Sequence, residues 1–117
     1  MTERTLTVTS RTHPSGATVL TVDGELDHHT APQLRAAVEA APYPPAGTVL
    51  DLTRLGYCDS TGITVLVTGY HRAQAAGTPL VLAGLSADLL RVFRIVGLDQ
   101  IFSFRPTVDE AVAALSS

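Results

Sequence analysis

Two short apolar runs, Thr48 to Leu52 and Pro79 to Ala83, lack the polar alternation of a half-exposed strand. Strands of that kind need cover on both faces. A chain with two of them must wrap a sheet in helices, which restricts it to layered α/β architectures. The intervening segments supply the helices. Leu34, Ala37, Val38 and Ala41 recur at i, i+3, i+4 and i+7, one apolar stripe. Thr30 and Gln33 have capping-box spacing at its start, Pro32 is tolerated in the first turn, and Pro42, Pro44 and Pro45 end it. A second helix begins at Ser60 and runs to Ala76, with Gly77 where a left-handed residue is wanted. Ser86 caps a third, whose Leu89, Leu90, Phe93 and Val96 face inward before Gly97. Thr107 and Glu110 repeat the capping-box spacing for a fourth, through Leu115.

Ahead of these, Thr5 to Thr9 alternates and Ala17 to Val22 is rich in β-branched residues, with His13-Pro14-Ser15-Gly16 as the turn of a β-hairpin. Ile101 to Phe104 reads as the last strand. The order ββαβαβαβα predicts a single α/β domain over residues 1–117 with a mixed sheet. An apolar content of 45% against 16% charged is that of a folding chain.

The same pass limits function. Met1 to Arg11 holds Glu3, Arg4 and Arg11 and no unbroken apolar stretch, so export is not expected. No run approaches the roughly 18 apolar residues that span a bilayer, so neither is a membrane. Cys58 is the one cysteine, which rules out an internal disulfide and fits a reducing compartment; cytoplasm is the default. A net charge of −3 with no clustered basic face argues against nucleic acid; Arg91 and Arg94 read as the solvated side of a helix. No Cys, His or carboxylate cluster has metal spacing, and no cofactor is implied.

Asp59-Ser60-Thr61-Gly62 stands where a strand and loop run into a helix. A hydroxyl there is accessible, and the unpaired N–H groups and positive dipole end of the helix accommodate a phosphate. The plainer alternative makes Ser60 an N-cap and Gly62 a packing residue. A serine nucleophile is weaker: Cys58 stands where a nucleophile elbow needs its first glycine, and nothing in the spacing of His28, His29 or His71 assigns a base.

The segment Gly24-Glu25-Leu26-Asp27-His28-His29-Thr30-Ala31, followed after a buried strand by Asp59-Ser60-Thr61-Gly62-Ile63, resembles the anti-sigma factor antagonists, the single-domain STAS proteins of bacterial partner switching. The resemblance implies that Ser60 is phosphorylated by a cognate anti-sigma factor that is also an ATP-dependent serine kinase, and that a separate serine phosphatase resets it. Asp59, Thr61 and Gly62 would support the phosphosite. Asp27, His28, Thr30 and Ile63 would contribute to the partner surface, with Asp27 on its exposed rim. Cys58 departs from the apolar residue frequent before the motif, and Thr64 and Thr68 depart from smaller or apolar ones after it. A non-switching STAS scaffold or accessory subunit and a small serine-nucleophile enzyme are the rival readings.

Overall fold

The computed structural model describes residues 5–116. The expected domain of 1–117 extends past them at both ends, and Glu3 and Arg4 of the leader reading lie outside the described residues. The hairpin forms from β1 (Leu6–Thr12) and β2 (Thr18–Leu26). Its turn is closed by the His13 amide donating to the Ala17 carbonyl at 2.8 Å. Then follow α1 (Ala31–Ala40), β3 (Thr48–Asp51), β4 (Leu55–Cys58), α2 (Ser60–Ala76), β5 (Leu80–Ala83), α3 (Ala87–Ile95), a 3₁₀ turn (Leu98–Gln100), β6 (Ser103–Arg105) and α4 (Val108–Leu115). The mixed α/β expectation holds, with one strand more than the sequence suggested.

The sheet order is β1-β2-β3-β5-β6; β1 is antiparallel to β2, and the rest run parallel. The added strand β4 pairs with β2 alone. β3 lies beside the first part of β2 (Thr18↔Thr48 to Thr21↔Asp51), and β4 takes over the same lane farther along (Gly24↔Leu55, Leu26↔Cys58). Between them the chain breaks at Leu52, Thr53 and Arg54. There Asp51 Oδ1 accepts from the Thr53 amide at 3.1 Å and from its hydroxyl at 2.6 Å.

Register assigns the two core faces. Val19, Val49 and Val81 lie abreast, and so do Leu20, Leu50 and Leu82. Successive residues point to opposite faces, so the valine row packs on Ala111 and Val112 of α4 while the leucine row joins Leu34, Val38, Val65, Leu66 and Phe93 of the first three helices. The double cover inferred from the unalternating runs is therefore real.

Local signals fared unevenly. Gly77 is left-handed at φ +71°, and the hydroxyls of Ser86 and Thr107 accept from the amides of Leu89 and Glu110 as expected of caps. The Thr30–Gln33 capping box does not form: Thr30 is helical in backbone and makes no side-chain cap. On α3 Phe93 is fully buried and Leu89 and Leu90 half-buried, but Val96 is exposed, since it ends the helix just before the left-handed Gly97. The last strand starts later than Ile101: Ile101 is exposed after the 3₁₀ turn, and Phe102 enters the core. No helix among the described residues is long and apolar enough to cross a membrane.

Candidate functional site

β2 and β4 are neighbours, run parallel and each end in a turn that opens a helix. One step beyond the Leu26↔Cys58 pair, Asp27 and Asp59 therefore occupy adjacent positions at the carboxyl edge of the sheet, where open α/β folds hold their functional groups. The two ends are tied by the Asp59 amide, which donates to the Leu26 carbonyl at 3.1 Å.

Asp59 is the N-cap of α2. Its backbone is extended (φ −98°, ψ −176°), and Oδ1 accepts from the Gly62 amide at 3.0 Å. The Asp59 carbonyl accepts the Ile63 amide at 3.0 Å, the first bond of the helix. Ser60 is thus the first helical residue, one place after the cap, and the capping role considered for it belongs to Asp59. Its side chain is exposed, and no hydrogen bond among the described residues uses its hydroxyl. The amides of Ser60 and Thr61 have no intrahelical acceptor in the first turn. α2 carries no acidic side chain there either, so the positive end of its dipole is offset only by the cap.

Gly62 is what brings this helix start down onto the strands. A Cβ at Gly62 would lie 2.6 Å from Leu26 Cγ and 3.0 Å from Cys58 Sγ. Ile63 is half-buried against the main core, and Thr61 is also half-buried. Cys58 lies under the turn; burial, with a smaller contribution from the Asp59 carboxylate, pushes its thiol up to about 12. Thr64 and Thr68 return their hydroxyls to the carbonyls of Ser60 and Thr64 at 3.0 and 3.1 Å.

Asp27 is not on the rim. It is 4% exposed, and its Oδ1 accepts from the amides of His29 at 2.9 Å and Thr30 at 3.1 Å. Thr30 is equally buried; its hydroxyl donates to the Glu25 carbonyl at 2.7 Å and accepts from the Asp27 amide at 2.9 Å. Together they bind the β2–α1 loop from beneath, because a buried loop must find acceptors for its own amides. What the loop presents outward is His28 and His29, both exposed, with ring centroids 4.2 Å apart. The signal for Asp27 burial was available: an Asp three residues before a Thr at a helix entrance is an internal-cap pattern as readily as a surface one.

Among the described residues, no histidine hydrogen-bonds to Ser60 and no group of three or more His, Cys, Asp or Glu side chains is placed to hold a metal. A model of the family described as "Mlab, STAS domain" matches residues 9–106. The chain is 41% identical over 91 residues to an anti-sigma-B factor antagonist of Listeria monocytogenes, covering 76% of this chain and 79% of that protein. This chain belongs to the STAS-domain anti-sigma factor antagonist family. The fold agrees: the crystal structure of an anti-sigma factor antagonist from Mycobacterium paratuberculosis superposes with a TM-score of 0.87 at 31% identity, over 97% of this chain and 96% of that one. The phosphorylated form of the Bacillus cell fate determinant SpoIIAA matches with a TM-score of 0.69 over 93% of this STAS chain and 99% of its own. At 24% identity that last likeness is one of fold.

Proposed function

We propose that this chain is an anti-sigma factor antagonist whose binding is switched by phosphorylation of Ser60. Unphosphorylated, it docks on an anti-sigma factor that is also a serine kinase, and the sigma factor held there is released. The kinase moves the γ-phosphoryl group of ATP onto Ser60 Oγ, the hydroxyl proton leaving to a base of the kinase and ADP departing. The modified chain then lets go, and a serine phosphatase restores the hydroxyl. In this reading the chain works in the cytoplasm as a phosphate acceptor and binding protein, not as an enzyme. The observation that carries it is the Ser60 hydroxyl: exposed at a helix N-terminus, and relieved of capping because Asp59 does that work. The name of the Listeria relative, an anti-sigma-B factor antagonist, supports the binding part of the reading.

The switch follows from charge placement. A phosphate adds about −1.5 to −2 charges beside Asp59 and one strand away from Asp27. The helix end stabilises that charge within the domain, while a partner surface shaped for a neutral hydroxyl is opposed by repulsion and desolvation. In this reading the exposed His28 and the half-buried Ile63 contribute contacts to the partner. Asp27 and Thr30 act through the loop they hold, and Thr61 and Gly62 through the helix turn.

The test is incubation with kinase-type anti-sigma factors and ATP, followed by intact-mass measurement and phosphopeptide mapping. One phosphate on Ser60, absent in Ser60→Ala, is the expected result. Modification at Ser10, Ser15 or Ser86 instead overturns the site. A wild type left unmodified by every kinase that binds it turns the reading toward a non-switching scaffold, and labelling of Ser60 by a fluorophosphonate turns it toward a nucleophile.

A further inference from the structure

We propose that a cleft between α3 and β6, separate from the Ser60 turn, binds a small acyl carboxylate. The cleft has a volume of about 360 Å³, within the range of small-molecule sites. Its floor is Leu82, fully buried, and its walls are the half-buried Leu85, Leu90 and Phe104. That floor and those walls offer an apolar tail a surface to cover.

Arg94 and Arg105 also line the cleft, and both are exposed. Neither forms an ion pair among the described residues. Asp88, the acid on α3, is engaged by Arg91 at 3.0 Å. Arg105 Nη1 donates to the Phe104 backbone carbonyl at 2.9 Å, which holds its guanidinium near the strand end and leaves its other N–H groups for a ligand. In a chain of net charge −3, two unpaired cations over an apolar hollow select a molecule with an anionic head and an apolar body. A carboxylate fits the guanidinium fork by paired hydrogen bonds. The tail gains by leaving water.

The arrangement also has a fixed place in the fold. β5 and β6 run parallel to β2 and β4, so the cleft opens toward the same sheet edge as Ser60, at the far side of the β5 end. The binding site stands whether or not Ser60 is a switch.

The experiment is titration of the whole chain, by calorimetry and by amide chemical shifts, with sodium decanoate below its micellar concentration, with decanol and with acetate. Decanoate is expected to bind saturably at one site and to move the amides of Leu85, Leu90 and Phe104, with decanol and acetate each weaker by about tenfold or more. Arg94→Ala combined with Arg105→Ala should erase the preference of decanoate over decanol. Ala87→Trp, which fills the cleft from its exposed lip, should abolish binding of both. Absence of saturable decanoate binding, equal affinity for decanol, or an unchanged double variant overturns the proposal. If the double variant does not fold, the decanoate–decanol comparison on the wild type and the Ala87→Trp result decide it.

Discussion

Leu26 and Gly62 meet so closely that the first turn of α2 rests on the end of β2 with no room for a methyl group: a Cβ at Gly62 would stand 2.6 Å from Leu26 Cγ. Leu26 is fully buried, and its Cγ is not a free end that can swing aside. Gly62→Ala gains up to about 1 kcal/mol of helix propensity, whereas overpacking costs about 1–3 kcal/mol. Net destabilisation is expected, read as a lower melting temperature. The helix start should also lift from the sheet, so phosphorylation of Ser60 per folded molecule should fall. A variant as stable as wild type would show that the contact relaxes freely.

Asp27→Ala removes the acceptor of two loop amides in a buried setting. Leaving such groups unsatisfied costs about 1–3 kcal/mol, so the variant should melt clearly earlier. Asp27→Asn retains an acceptor oxygen and should recover part of the loss. Thermal denaturation of both variants checks this. A surface rim residue would have given two unchanged melting curves.

Capping and phosphate acceptance are divided between adjacent residues, and substitution should separate them. Asp59→Ala loses the N-cap and about 1 kcal/mol of stability. Ser60→Ala, at an exposed position whose hydroxyl has no partner among the described residues, should stay within about 0.5 kcal/mol of wild type. Urea denaturation measures both. If Ser60→Ala proves the more damaging, the capping assignment is wrong.

Ser60→Asp should keep the fold and bind the kinase more weakly than wild type, by less than true phosphoserine does. One carboxylate carries a single charge, against about −1.5 to −2 for phosphate. At the helix end that charge is tolerated or slightly favourable, so the loss belongs to the interface. Calorimetric titration of wild type, Ser60→Ala, Ser60→Asp and phosphorylated protein against one kinase should rank them accordingly; four equal affinities would end the switch reading.

Cys58 gives a pH dependence with a definite sign. Its thiol is raised from 9.0 to about 12 by burial and by the Asp59 carboxylate, so the folded state favours the neutral form. That contribution is fully present below the unfolded value and is lost as pH climbs from 9 toward about 12. Stability should therefore decline across that alkaline window in wild type and less so in Cys58→Ala. At pH 8 the native thiol should react slowly with a disulfide reagent and speed up on addition of denaturant.

The hairpin, the buried strands and four helices were legible because each is written in local pattern: alternation, unbroken apolar runs and a helical stripe, punctuated by Gly77, Ser86 and Thr107. β4 was not, because Leu55-Gly56-Tyr57-Cys58 has no strand pattern of its own and owes its extension to pairing with β2. The Asp59–Gly62 segment was legible as a helix start with its cap misplaced by one residue; which of Asp59 and Ser60 caps depends on backbone angles that no spacing reveals. Asp27 misled because polarity suggests solvent, while the amides of its own loop required it inside.

The divided lane beside β2 separates the molecule into parts of unequal permanence. The valine and leucine rows are stitched across β2, β3 and β5, with helices above and below, and their amides should exchange with solvent only on global unfolding. β4 is four residues long, pairs with β2 alone and shifts register against it between Gly24 and Glu25. Its opening, with the first turn of α2, is expected to cost less than opening those rows. Deuterium should accordingly enter Tyr57, Cys58 and Ile63 well before Leu20, Leu50 and Leu82. The Ser60 turn thus stands on the less permanent part of the sheet, and the close Leu26–Gly62 contact is what holds it in its docked geometry.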